Sequence, residues 1–173
     1  MVRKRTIVAT WLVMLAISLS SVAQNTPARG PSTPEERARL VAIARKLEAA
    51  PLDSSLNAER EWAVKWLIEV PDLTVSLCTS VLGKDFLKTK YKYSSNLVVQ
   101  LTLSSAAFII EHPDQAGDKV AMYTAGAEGA LKAYAAILKD NPKAKWKALD
   151  EAVEKQGQGH LADYVRENSQ GCK

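Results

Sequence analysis

Few residues in this 173-residue chain belong to the types that do chemistry, and they are widely spaced. There are two histidines, His112 and His160, and two cysteines, Cys78 and Cys172. Structural zinc takes four ligands, and catalytic zinc three plus an open position. With no H-E-x-x-H and no C-x-x-C, the sequence implies neither a metal nor a cofactor. There is no G-x-S-x-G, and Ser104 and Ser105 sit in an apolar run, where a hydroxyl bonds back to its own helix. Glu61, Glu69, Glu128 and Glu154 fall at surface spacing on expected helices, with nothing to set two of them across a cleft as glycoside hydrolysis requires. No catalytic residue is assigned, and the chain leans away from an enzyme. One stretch is suited to binding. In "GKDFLKTKYKYSSN", Lys84, Lys88, Lys90 and Lys92 outnumber the single acid Asp85, and Phe86, Tyr91 and Tyr93 lie between them. Lysines interleaved with aromatics suit an anionic ligand, an envelope polymer or an acidic partner protein. "KDNPKAKWKALD" is a weaker basic cluster around Trp146.

"EHPDQAGD" offers a different chemistry. The helix ending at Glu111, the triplet His112-Pro113-Asp114 and the following "GALKAYAAIL" resemble the tip of a J-domain, the module that stimulates a heat-shock ATPase. That resemblance implies a co-chaperone or chaperone-like helper, docking through a basic face on the helix before the triplet. Here the matching turns, "LTLSSAAFIIE", hold no Lys or Arg. The triplet therefore reads as punctuation, because proline is a good stop after a helix. "ALKAYAAILKDNP" resembles the second helix of a tetratricopeptide repeat, with Ala130, Tyr134 and Pro142 in step. Asp118 stands where that repeat needs a Gly and no second copy follows, so no array is expected. A hydrolase with an unrecognised site is the remaining alternative to a binding or structural module.

The first 23 residues bear on location. Arg3, Lys4 and Arg5 precede the apolar run Ile7 to Leu19, and Ser21 and Ala23 stand at signal-peptidase spacing. This order reads as a signal peptide cleaved after Ala23, and the apolar run is shorter than the ~20 residues of a spanning helix. An exported, periplasmic or secreted protein is expected, with no spanning segment in the mature chain. Cleavage removes three positive charges and no acid from a net charge of +4, leaving 4 − 3 = +1. The basic balance of the whole chain is therefore no nucleic-acid footprint. In an oxidising compartment two cysteines suggest one disulfide, Cys78 to Cys172.

The rest reads as helices. Residues 24–32 form an expected flexible leader, and 33–173 a single all-α, bundle-like domain of six or seven helices. Thr33, Pro34 and Glu36 spell a capping box, and Leu40, Ile43, Ala44 and Leu47 a stripe at helical spacing. Asn57 is the expected cap of a second helix carrying Trp62 and Trp66. "DLTVSLCTSVLG" is ambiguous: Asp72 and Gly83 argue a helix across 73–82, while Leu73, Val75, Leu77 and Val81 alternate like a strand. Helix is the reading taken. A nearly uncharged helix over Leu97 to Ile110 is expected at the centre of the core. Its successor, from about Gly117 to Lys139, carries Ala121, Ala125, Gly126 and Gly129, small enough for a neighbour to approach closely. Each interior Gly costs about 1 kcal/mol, so two imply a packing reason. Leu161, Tyr164 and Val165 give the short last helix one contact face.

Overall fold

The computed structural model describes residues 29–172 apart from positions 85 and 89. The expected signal peptide, 1–23, and residues 24–28 of the leader lie outside the described residues. Six α-helices follow in order: α1 (Pro34–Ala49), α2 (Asn57–Glu69), α3 (Ser94–Glu111), α4 (Lys119–Asp140), α5 (Lys147–Gly157) and α6 (Leu161–Asn168). Among the described residues there is no strand. The chain is all-α, as its periodicity implies.

Local rules set most boundaries. Thr33 and Glu36 form the reciprocal capping box at the start of α1, with Pro34 in the first turn. Ser32 donates from both its N–H and its hydroxyl to Asp72, tying the approach to α1 to the end of α2. Asp118 accepts the Ala121 N–H at 3.0 Å, so α4 starts at Lys119 rather than Gly117. Asn57 is not the cap of α2. It is the first helical residue, its side chain accepts from Arg60, and Leu56 caps without a side-chain bond.

The core is built on α3 and α4. α3 buries Leu97, Leu101, Leu103, Ala106, Ala107 and Ile109, and α4 lays Tyr123, Ala127, Ala130, Leu131, Tyr134 and Ile137 against it. The two helices approach closely at glycines. A Cβ on Gly126 would lie 2.9 Å from the Leu101 carbonyl oxygen, and one on Gly129 would lie 2.5 Å from Ser104 Cβ. α1 crosses both helices through Leu40, Ile43, Ala44 and Leu47, all buried. α6 packs on α4 through Leu161, Tyr164 and Val165.

The segment 73–82 corrects the sequence reading. Residues 73–78 are neither helix nor paired strand, and only Thr79–Leu82 closes into a 3-10 turn. Thr74, Val75, Thr79 and Val81 are β-branched and lose side-chain freedom in a helix. An extended chain also covers about twice the distance per residue that a helix does. The segment uses that reach to run from the end of α2 to the foot of α6, burying Leu73 and Cys78 on the way. There Cys78 meets Cys172, with Cα atoms 5.7 Å apart, the spacing of a disulfide. At Gly83, where the strap ends, φ is +126° and a Cβ would lie 2.8 Å from that of Ala148, so only glycine fits.

Two predictions follow from these contacts. The bridge spans 94 residues, for which chain entropy gives about 4–5 kcal/mol, an upper figure. Reduction, or Cys78→Ser with Cys172→Ser, is expected to lower the Tm and to make α6 the first site of limited proteolysis; an unchanged Tm would remove the bridge from the stability account. For the glycines, Gly126→Ala and Gly129→Ala should each lower the Tm, because overpacking costs about 1–3 kcal/mol and outweighs the helix-propensity gain of about 1 kcal/mol. Gly157→Ala, which meets open space, should not lower it.

Candidate functional site

The structure divides the lysine–aromatic stretch. Lys84 lines a cleft beside α5 and α6, and Lys88 is exposed in a 3-10 turn over Phe86–Lys88. Lys90, Tyr91, Lys92 and Tyr93 line a separate cleft of about 400 Å³, opposite Asn141, Lys143, Lys145 and Trp146. The two basic clusters of the sequence thus meet across the α3–α4 hairpin. Four lysines line this cleft and no acid does.

Its floor is aromatic and fixed from behind. Tyr91 stacks on Trp146 with centroids 5.7 Å apart, and Phe86 meets Trp146 edge-on at 5.1 Å. The Trp146 N–H donates to the Tyr134 hydroxyl at 2.8 Å, and that hydroxyl donates to Asp150 at 2.7 Å. Tyr134 lies wholly in the core, so Trp146 hangs from the centre of the bundle. The Tyr91 hydroxyl donates to the Ala144 carbonyl at 3.0 Å, pinning one side of the cleft to the other. Burial, with Tyr93 and Asp150 nearby, pushes the Tyr91 phenol up to about 12, so it stays a donor across the physiological range. Tyr93 accepts from the Asn141 amide at 3.0 Å; that bond, with the Lys92 ammonium beside it, holds its phenol below the usual range. The lysines at 90, 92, 143 and 145 are exposed around this rigid floor.

A second polar feature is absent from the sequence reading. Glu48, on α1, is 7% exposed. One carboxylate oxygen accepts from Arg45 at 2.7 Å and from the Ser104 hydroxyl at 3.1 Å, and the other accepts from Lys132 at 3.1 Å. Gln100 donates to Ser104 at 2.8 Å and to the Ala44 carbonyl at 3.1 Å. Five polar side chains from α1, α3 and α4 therefore close on one another. A carboxylate buried this far and engaged by three donors from three helices acts as a clamp between them. The sequence signal was there: Glu48 is four residues beyond Ala44 on the apolar stripe of α1, and Ser104 is four beyond Gln100 within the uncharged α3.

Above this clamp opens a cleft of about 560 Å³ that includes Glu111, His112, Asp118, Glu128 and Arg166. The His112-Pro113-Asp114 triplet is the turn at its edge. His112 closes α3, its N–H donating to the Phe108 carbonyl at 2.8 Å and its ring tilted against Phe108 at 4.9 Å. Pro113 opens a 3-10 turn, and Glu111 pairs with Arg45 at 2.8 Å. A further hollow, of about 630 Å³, lies between Gly83, α5 and α6, where Lys84, Lys155 and His160 face Glu151, Asp163 and Glu167. Among the described residues no three His, Cys, Asp or Glu side chains converge to hold a metal ion. No described helix is long and apolar enough to cross a membrane.

Comparison of the chain with protein families, with characterised proteins and with solved structures found no match.

The clamp makes an ordered prediction. Glu48→Gln keeps the shape and removes the charge, leaving Arg45 and Lys132 half-exposed to water; the loss should be about 1–3 kcal/mol. Arg45→Met with Lys132→Met strands a buried carboxylate and should cost more, about 3–5 kcal/mol. Denaturant unfolding of the two variants checks the order.

Proposed function

We propose that the protein is an exported binding module, and that the Lys90–Lys92–Lys143–Lys145 cleft takes an anionic polymer of the cell envelope. The observation that carries this reading is the convergence of two lysine clusters, remote in sequence, around one aromatic floor with no acid in its lining. The chain without residues 1–23 has a net charge of only +1, so four unbalanced lysines in one hollow are a local concentration of charge and not a property of the whole surface. A floor held by Tyr134 and Ala144 adds shape: the ligand meets a prepared surface and little side-chain order is lost on binding. Export is supported by the basic, apolar and small-residue order of the first 23 residues and by the bonded cysteine pair.

The test uses a sulfated glycan as a soluble anionic polymer and vesicles containing anionic lipid as the competing source of the same charge. Binding to the glycan should weaken as salt rises, as expected of exposed charges. Each exposed ion pair contributes about 0.2–1 kcal/mol, so Lys90→Gln with Lys143→Gln should weaken binding roughly tenfold. Lys119→Gln with Lys155→Gln, which removes the same charge away from the cleft, should leave it nearly unchanged. Equal losses from the two pairs, or binding to vesicles alone, would overturn the reading.

A further inference from the structure

α2 presents an unusual outer face. Of its 13 residues only Ala63 and Trp66 are buried. On the opposite side Arg60, Glu61, Val64, Lys65, Ile68 and Glu69 follow one another at alternating steps of one and three, a single helical stripe along one shallow groove. Ile68, near its C-terminal end, is 79% exposed, the most exposed large apolar side chain among the described residues. The groove continues through Val64 and Ile68 into an apolar hollow walled by Leu67, Val75, Val98 and Leu103, so the apolar surface crosses from α2 to α3.

The charges along the stripe have an order. From the N-terminal end they read plus, minus, plus, minus: Arg60, Glu61, Lys65, Glu69. Reversed, the sequence of signs is inverted. A second copy of the same stripe laid antiparallel therefore sets Glu61 opposite the partner's Lys65, and Arg60 opposite the partner's Glu69. The two registers differ by three residues, less than one helical turn, a distance long side chains span. Laid parallel, the same stripes would oppose like with like. The stripe sums to zero charge, so it has no preference for a strongly acidic or basic partner, whereas it is complementary to itself under a two-fold axis.

We infer that this face is a self-association surface: two copies pair isologously through antiparallel α2 helices, with Val64 and Ile68 buried at the seam and the Glu61–Lys65 pairs flanking it. A contact one helix wide is small beside the ~1,200–2,000 Å² of stable interfaces, so the dimer is weak, with a dissociation constant on the order of micromolar or above. This is independent of the anionic-polymer reading, because none of these residues lines the lysine cleft.

Sedimentation velocity of the full chain over a wide concentration series tests it. The expected result is a shift from one chain to two as concentration rises. Ile68→Asp should keep one-chain mass throughout with an unchanged Tm, since that side chain is already exposed in the monomer. Glu61→Lys and Lys65→Glu should each raise the dissociation constant about tenfold or more by opposing like charges, and an equimolar mixture of the two should restore pairing. One-chain mass for the unaltered protein at every concentration would overturn the inference and leave the groove to a foreign segment. A dimer that survives Ile68→Asp, or a mixture that fails to pair, would overturn it as well.

Discussion

The close approach of α3 and α4 is the contact on which the other elements depend. Gly126 and Gly129 give up side chains so that the Leu101 carbonyl, Ser104 and Ser105 can lie against the α4 backbone. The approach brings Lys132 within 3.1 Å of Glu48, and with Ser104 it lets a carboxylate of α1 be satisfied between three helices. Were the helices a side chain further apart, Glu48 would lose Ser104 and Lys132 and keep only Arg45 of its own helix, leaving a buried carboxylate under-satisfied at a cost of the order of a few kcal/mol. The helix-propensity penalty of the glycines is thus offset by an interface that apolar side chains alone could not make as close.

The same hairpin places the lysine cleft. The residues before α3 and those after α4 are remote in sequence, yet an antiparallel pair of helices returns the chain to the end from which it set out. Lys90 to Tyr93 and Asn141 to Trp146 occupy that end. Tyr134 links it to the core, because its buried ring carries a hydroxyl that accepts from the Trp146 backbone N–H and donates a hydrogen bond to Asp150. Burial and the bond to Asp150 both push that phenol up, so it remains a donor in this relay. At the other margin the strap 73–82 and the Cys78–Cys172 pair hold α6 against α4.

How much was legible in the sequence follows from the range of the interaction. The capping box of α1, the stripe from Leu40 to Leu47, the small residues of α4 and the contact face of α6 are set by neighbours three or four residues away, and all could be read. The bridge was legible because only two cysteines exist. The strap 73–82 carries a misleading helix signal, because Asp72 and Gly83 bracket it like caps while its conformation is decided by the distance between its ends. The burial of Glu48 is not legible locally, because it depends on partners on other helices, 56 and 84 residues further along the chain. The two lysine clusters were noticed separately, and their meeting required the hairpin.

The lysine cleft and the α2 stripe combine in one further step. Each lysine of the cleft is exposed and would contribute little by itself, so one cleft would hold the proposed polymer only weakly. A polymer repeats its charge along its length, and a second cleft tethered through α2 would meet the next repeat at an effective concentration set by the dimer and not by the solution. Bivalent engagement of that kind raises avidity by about 10²–10⁴ without any new contact, and is lost if the geometry forbids both clefts from engaging one strand. A weak dimer would suit the arrangement, because polymer binding to two copies would favour their pairing as much as pairing would favour binding, the reciprocity that linkage requires. The protein would then stay monomeric when dilute and free, and pair where the polymer concentrates it.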